Sequence, residues 1–320
     1  MNVVTLWQHN RGRLLVGLKV SLSIALLYWL ATNADLSVVR RTITGLTAGS
    51  AAIAVLFLVI VSLLAGLRWV LVMRAIGAPI GLRVGLSLTF ISVFFNQVLP
   101  TSVGGDAVRI WQTLRLGYDR AAAIGSTVVE RLIGLSGLAV LVLGGVWHLG
   151  ERIDNPSIRI FLIGSALAIL AGATVLALLD RLAPAIGRQP WLNAPATFSA
   201  KLRGSLKGTH LMPKLIGISI LSHVIAACTV YVLSIGLGLT LSLIDAVALI
   251  PAVIMISMIP FSFAGWGLRE GAMVALLTYA DVPTEAAFGL SVLFGLSMLT
   301  ASLPGYALWL FDRKILAVER

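Results

Sequence analysis

Three pairs of charged residues lie within apolar stretches of this chain: Asp106 with Arg109, Glu130 with Arg131, and Arg269 with Glu270. Charged side chains are costly inside a membrane, and there they are typical of functional sites. An arginine holds phosphate oxygens through a planar fork of N–H donors. These residue types therefore predict a site for a phosphate-bearing anion, and they fit a metal ion or a sugar less well.

Two of the pairs belong to segments that repeat each other 160 positions apart. Residues 99–109 read LPTSVGGDAVR, and residues 259–269 read IPFSFAGWGLR. Four residue types recur in register, at Pro100/Pro260, Ser102/Ser262, Gly105/Gly265 and Arg109/Arg269. Broken helices at corresponding positions of two halves are the best sequence indication of a transporter's binding site. We interpret the two segments as copies of one half-site.

Proline followed by glycine predicts a broken helix in each copy, because proline lacks an N–H donor and crowds the preceding turn. Ser102 and Ser262 are placed to cap a second half-helix, whose free N–H groups and dipole attract an anion. Irregular backbone is tolerated in a membrane only where it is buried in protein or lines a watery cavity. We expect the two half-helix N-termini to face one polar space near the membrane midplane.

We predict that fifteen residues line this space and bind the phosphate-bearing substrate: Asn96, Pro100, Ser102, Gly104, Gly105, Asp106, Arg109, Glu130, Arg131, Pro260, Ser262, Gly265, Gly267, Arg269 and Glu270. Structural roles compete with this interpretation. The prolines also fit simple kinks, and the glycines also fit close helix packing. Asp106 with Arg109 also fits a salt bridge at the membrane edge.

Glu130 lies near mid-depth of its span, so we predict that it pairs with Arg109, Arg131 or Arg269, or shuttles a proton. A purely structural ion pair is the alternative. His223 is predicted to make an interhelical hydrogen bond. Arg68 is predicted to extend its charged group to the membrane surface.

Composition indicates the environment of the fold. Of 320 residues, 58% are hydrophobic and 12% are charged, whereas soluble domains have about 25% charged residues. Apolar runs near twenty residues recur, so we predict a single all-α integral membrane domain over residues 1–320. A net charge of +11 is typical here of loops facing anionic lipid, not of nucleic-acid binding. The single cysteine, Cys228, excludes an internal disulfide.

We predict about six full spans and two re-entrant helical hairpins. The spans lie at 14–31, 49–72, 121–149, 158–179, 215–237 and 286–311, and the hairpins at 81–113 and 243–279. Three spans separate the hairpins, and this odd number makes the hairpins enter from opposite faces. Pseudo-repeat halves of about 14–149 and 158–311 then form an inverted-topology repeat. The alternative, two ordinary short spans in place of each hairpin, leaves the parity unchanged.

The basic residues predict the orientation. Most of the 24 lysines and arginines lie at the N-terminus, in 67–83, 109–120 and 181–214, and in the C-terminal tail. The positive-inside rule places these regions and both termini in the cytoplasm, as expected for a multi-pass protein of the inner (plasma) membrane. Residues 181–214 form a cytoplasmic basic linker. Its apolar face of Phe198, Leu202 and Leu206 fits an interfacial amphipathic helix, and a solvated basic loop is the alternative.

Three segments resemble signatures of a known family: 96–109 (NQVLPTSVGGDAVR), 128–135 (VVERLIGL) and 259–272 (IPFSFAGWGLREGA). They are similar to the lysylphosphatidylglycerol synthase transmembrane region, also called the flippase-like domain family. The resemblance covers nearly the whole chain and implies movement of a lipid between leaflets: an aminoacylated phosphatidylglycerol, a polyprenyl-phosphate sugar or a hopanoid. Nine residues follow the last predicted span, so we expect no soluble aminoacyl-transferase domain and no synthase activity.

We expect a lipid flippase, not an enzyme, that moves an anionic, phosphate-bearing lipid or lipid-linked intermediate between leaflets of the inner membrane. Its partner is a membrane lipid of phospholipid, polyprenyl-phosphate or hopanoid type, and we expect no nucleic acid, cofactor or metal. One alternative is a membrane-embedded head-group enzyme, but the sequence holds no GxSxG motif, metal cluster or paired catalytic acids. The other is an accessory subunit of a lipid-modifying enzyme, which would not need costly intramembrane charges.

Overall fold

The computed structural model describes residues 44–99, 103–186, 190–206, 210–259 and 265–311. Eleven α-helices make up this part of the chain together with two short 3-10 turns, and the described residues contain no strand. We number these helices α1 to α11 in chain order. The predicted span at 14–31 lies outside the described residues, as do the prolines and serines of both predicted breaks.

Five helices are long and apolar enough to cross a membrane: α1 (Ala48–Ala75), α4 (Arg120–Leu149), α5 (Pro156–Ala177), α8 (Leu211–Gly236) and α11 (Thr284–Leu310). They coincide with five of the six predicted spans. The chain is therefore an all-α integral membrane protein, as its composition predicts.

Each predicted broken element is a pair of shorter helices. The first pair is α2 (Leu82–Val98) with α3 (Gly104–Arg115), and the second is α9 (Leu243–Ser257) with α10 (Leu268–Leu277). The two helices of each pair pack against each other, so each element is a helical hairpin. That each hairpin enters and leaves by one membrane face stays a prediction.

The basic linker folds as two short helices, α6 (Leu179–Ile186) and α7 (Pro190–Leu206). The apolar face of α7 packs on the bundle: Leu202 is buried, and a β-carbon at Gly125 of α4 would overlap the ring of Phe198. On its polar side, Asp180 of α6 forms an ion pair with Arg203. Residues 190–206 are thus an amphipathic helix and not a solvated loop, and their position at the membrane surface stays a prediction.

The helix packing keeps its pattern when the two halves are exchanged. Under the repeat, α1, α2, α3 and α4 correspond to α8, α9, α10 and α11. The contact of α2 with α11 has its counterpart in the contact of α9 with α4. Helix α1 contacts both α2 and α11, and its counterpart α8 contacts both α9 and α4. Helices α1 and α8 also contact each other. This pattern supports the predicted repeat, and the inverted orientation of its halves stays a prediction.

Two glycines 160 positions apart make equivalent close contacts. A β-carbon at Gly145 of α4 would overlap the carbonyl oxygen of Ala248 in α9, and one at Gly305 of α11 would overlap that of Phe90 in α2. Small residues let helix backbones approach closely in a membrane, where lipid tails remove the hydrophobic drive for association. The same packing device therefore holds each hairpin to the long helix of the other half.

We expect Gly145→Ala and Gly305→Ala each to destabilise the protein by about 1–3 kcal/mol, because the added methyl group overpacks a backbone contact. Gly144→Ala is the matched control, since its β-carbon would meet nothing within 4 Å. Alanine there should be neutral or stabilising by about 0.5–1 kcal/mol. The measurement is the thermal unfolding midpoint in detergent. A loss at only one of the two glycines would contradict their equivalence.

The predicted topology is tested by labelling single cysteines in a Cys228→Ser background. Thr240→Cys and Thr284→Cys replace exposed residues next to the second hairpin, and we expect an impermeant thiol reagent to reach them only from outside the cell. Arg181→Cys, also exposed, should react only from the cytoplasm. Reaction of all three from one side would rule out the inverted repeat.

Candidate functional site

A polar cavity of about 180 Å³ lies where the first hairpin meets α1, α4 and α8. It is lined by five charged residues from three helices: Arg68 of α1, Asp106 and Arg109 of α3, and Glu130 and Arg131 of α4. Asn96 of α2 also lines it, and Met258, just after α9, brings the second hairpin to its edge. The structure thus brings together five of the predicted site residues, namely Asn96, Asp106, Arg109, Glu130 and Arg131.

Two carboxylates hold three arginines together. Glu130 pairs through Oε1 with Arg68, whose Nε lies at 3.0 Å, and through Oε2 with Arg109 at 3.3 Å. Asp106 pairs through Oδ1 with Arg109 at 3.3 Å and through Oδ2 with Arg131 at 2.6 Å. Four of these residues are buried, and the side chain of Arg131 is 32% exposed. The network joins α1, α3 and α4.

Glu130 pairs with Arg109, as predicted, but its other partner is Arg68. The prediction that Arg68 reaches the membrane surface is wrong, because the residue is only 7% exposed. Helix α1 continues to Ala75, past the predicted end of the span, so Arg68 lies about 10 Å from the helix end at 1.5 Å per residue. Its guanidinium passes Gly134 of α4, where a β-carbon would lie 3.1 Å from its terminal nitrogen.

Arg109 lies at the centre of the cluster. Its guanidinium is 5.0 Å from the centre of the Trp69 ring, a cation–π arrangement. Its side chain is 3% exposed, and its Nε has no hydrogen-bond acceptor among the described residues. Arg109 therefore carries a buried donor that the described protein groups leave unsatisfied, at the wall of the cavity.

The start of α3 is fixed against α2. Its N-cap position is Val103, which makes no side-chain cap, and the predicted cap, Ser102, lies outside the described residues. Asn96 instead accepts a hydrogen bond from the Gly105 N–H at 2.8 Å. A β-carbon at Gly105 would overlap the backbone oxygen of Ser92. Gly105 thus serves close packing, the alternative role that the sequence allowed, and Gly104 is the first residue of α3.

The second hairpin holds a separate, closed cluster. Helix α10 begins at Leu268, so Arg269 lies in its first turn and not two turns beyond a cap at Ser262 as predicted. Glu270 pairs with Arg269 at 2.7 Å and accepts a hydrogen bond from the Gly267 N–H at 2.5 Å. This bond satisfies one backbone N–H at the helix start.

Residues around Arg269 leave little room for a ligand. Its guanidinium lies 4.5 Å from the centre of the Trp266 ring, and a β-carbon at Gly295 of α11 would overlap it. Ser291 of α11 donates to Glu270 at 3.2 Å. Both members of the Arg269–Glu270 pair are almost fully buried.

One shared polar space was expected, and this expectation is wrong for the described residues. Four predicted residues of the second half do not line the cavity: Gly265, Gly267, Arg269 and Glu270. The physical reason is local, because Glu270 neutralises Arg269 within its own helix and no charge remains to face the first half. Pro100, Ser102, Pro260 and Ser262 lie outside the described residues.

His223 of α8 makes the interhelical hydrogen bond that was predicted for it. Its Nε2 lies 3.0 Å from the backbone oxygen of Gly134, to which Ser219 also donates at 2.9 Å. His223 also lines the cavity. In the described part of the chain, no three His, Cys, Asp or Glu residues are grouped to hold a metal ion. The guanidinium groups of Arg68, Arg109 and Arg131 give the cavity N–H donors that suit an anion.

Comparison with known proteins gives a family for this chain. A family model described as "Lysylphosphatidylglycerol synthase TM region" matches residues 14–305. The match contains the three signature segments and both hairpins, and it confirms the resemblance noted in the sequence. No curated protein matches the chain.

We expect Glu130→Gln to destabilise the protein by about 3–5 kcal/mol, because it leaves buried arginines without their carboxylate. Adding Arg68→Gln should restore part of this loss, since it removes one of the uncompensated charges. Unfolding midpoints in detergent give both values, and Asp245→Asn, in an exposed pair with Arg152, should cost less than about 1 kcal/mol. If the double variant is less stable than Glu130→Gln alone, the two charges do not compensate each other.

Proposed function

The chain belongs to the lysylphosphatidylglycerol synthase TM region family, and from this premise we propose that it moves an anionic, phosphate-bearing lipid between leaflets of the inner membrane. The family is lipid-related, and the chain is a multi-pass membrane protein. The observation that carries the proposal is the arginine-rich cavity inside the bundle. Lipid movement of this kind requires no chemical change of the head group.

The size and position of the cavity fit a head group and not a whole lipid. A charged head group cannot cross the hydrocarbon core unless polar groups replace its water. The cavity supplies guanidinium groups from Arg68, Arg109 and Arg131 within a volume of about 180 Å³. Pockets that enclose a drug-sized molecule are larger, about 300–1,000 Å³. The acyl chains therefore stay in the bilayer while the head group passes through the protein.

The second half of the molecule provides the second head-group site of the proposed transport. Arg269 occupies the position equivalent to Arg109 under the repeat, and in this structure it is closed against Glu270. We infer that the two clusters hold the head group in turn, each from its own membrane face, as inverted repeats do in transporters. Gly265 and Gly267, both with positive φ, allow the backbone change that opens the second cluster.

Arg109→Lys and Arg269→Lys should each slow lipid movement about ten- to a hundred-fold. Lysine cannot reproduce the planar fork of arginine, and a hydrogen bond to a charged group contributes about 1.5–3 kcal/mol. The assay uses the purified chain in proteoliposomes with phosphatidylglycerol labelled on an acyl chain, and follows quenching of outer-leaflet label by dithionite. Arg152→Lys, in a largely exposed pair, is the control.

Three outcomes decide between the candidate functions. Wild-type protein that does not accelerate lipid exchange contradicts the flippase proposal and favours the accessory-subunit alternative. Chemical conversion of the head group without exchange favours the enzyme alternative. Full rates in both lysine variants, with folding checked by size-exclusion chromatography, would assign the two arginines to structure.

A further inference from the structure

We propose that the cavity selects lipids whose head group carries one net negative charge, a phosphodiester monoanion, over zwitterionic, aminoacylated and dianionic head groups. This inference rests on the proposed function, since it concerns the same cavity, and it names the substrate class. It follows from a count of charges and from the occupancy of each carboxylate oxygen.

The described lining of the cavity holds one positive charge in excess. It contains three guanidinium groups and two carboxylates, and His223 adds no negative charge. A charge without a partner is costly in a membrane interior. A ligand with one negative charge removes this cost.

Arg109 marks where that ligand binds. Its terminal nitrogen reaches Asp106 and Glu130 at 3.3 Å each, longer than the 2.6 Å contact of Arg131 with Asp106. Its Nε has no hydrogen-bond acceptor among the described residues, although the side chain is only 3% exposed. Arg109 lines the cavity, so a phosphodiester bound there lies beside its guanidinium and balances the charge.

The carboxylates exclude a head group that carries an ammonium ion. Each of the four oxygens is already engaged by an arginine: Oε1 and Oε2 of Glu130 by Arg68 and Arg109, and Oδ1 and Oδ2 of Asp106 by Arg109 and Arg131. An ammonium group entering the cavity would meet three guanidinium groups, and it would have to share carboxylate oxygens that these groups already contact. Zwitterionic and lysine-bearing head groups are therefore disfavoured.

Charge balance also disfavours phosphomonoesters. A phosphomonoester carries about −1.5 to −2 at pH 7, so it would replace an excess positive charge with an excess negative one. A phosphodiester carries one negative charge and leaves the cavity neutral. Asn96 adds a neutral donor, because its Oδ1 accepts from Gly105 and its Nδ2 remains available. Phosphatidylglycerol-type lipids and polyprenyl-phosphate sugars both meet this requirement.

Binding to the purified full-length chain in detergent tests the inference without requiring lipid movement. The probes are short-chain phosphatidylglycerol, phosphatidic acid and phosphatidylethanolamine, and the readout is the dissociation constant from ligand-dependent thermal stabilisation. Wild-type protein should bind phosphatidylglycerol about ten-fold more tightly than either competitor. Equal affinity for phosphatidylethanolamine would overturn the inference.

Two variants change the charge count in opposite directions. Asp106→Asn raises the excess to two positive charges and should move the preference to phosphatidic acid, whereas Arg68→Gln removes the excess and should weaken phosphatidylglycerol about ten-fold. The Asp245→Asn control should keep the wild-type order. If Asp106→Asn does not fold, Arg68→Gln still decides. An unchanged order of affinities in the folded variants would overturn the inference.

Water-soluble probes test whether the cavity binds a lipid or a free phosphate ester. Glycerophosphoglycerol and inorganic phosphate should bind at least ten-fold more weakly than phosphatidylglycerol, because they lack the chains that stay in the detergent micelle. Equal binding would assign the cavity to a soluble phosphate and overturn the lipid assignment. Protein that moves phosphatidylglycerol without preferring it contradicts the inference alone, and protein that neither binds nor moves it contradicts the proposed function as well.

Discussion

The bridge from Glu130 to Arg68 and Arg109 is the interaction on which the first half of the molecule depends. It joins α1, α3 and α4 through buried charges. Lipid tails give helices no hydrophobic reason to associate, so close contacts and polar bonds must position them. Helix α3 has 12 residues and no side-chain cap, and it is held by these charges and by Asn96 of α2. The cavity lies among the helices that this bridge joins.

The two halves share their packing but not their chemistry. A shift of 160 positions takes Arg109 to Arg269, whereas it takes Asp106 to Trp266 and Glu130 to Leu290. The second half balances its arginine with Glu270, the next residue of the same helix. Partners from different helices leave a space between them, and partners on one helix do not. This difference accounts for an open cavity in one half and a closed cluster in the other, with one fold serving both.

Local sequence signals predicted five of the six spans and the two pairs of shorter helices, because apolar length acts without tertiary context. They also predicted the interhelical bond of His223. The pairing of Glu130 with Arg68 could not be predicted, since the two residues lie 62 positions apart and meet only when α1 packs on α4. The predicted span ended at residue 72, whereas α1 continues to Ala75. Because of this error, Arg68 was not included in the candidate site. The late start of α10 was missed because its N-cap residue, Gly267, has no side chain that could give the capping signal of Ser, Thr, Asp or Asn.

The occupancy of the carboxylates bears on whether the cavity can do chemistry as well as bind. A general base must reach the proton that it removes with a free lone pair, within about 2.6–3.2 Å. Glu130 and Asp106 direct all four of their oxygens at arginines, and His223 uses Nε2 on the backbone of Gly134. The guanidinium groups of Arg68, Arg109 and Arg131 also line the cavity, and as donors they can hold a phosphate oxygen and release it. Under the proposed function, they hold a head group that passes unchanged.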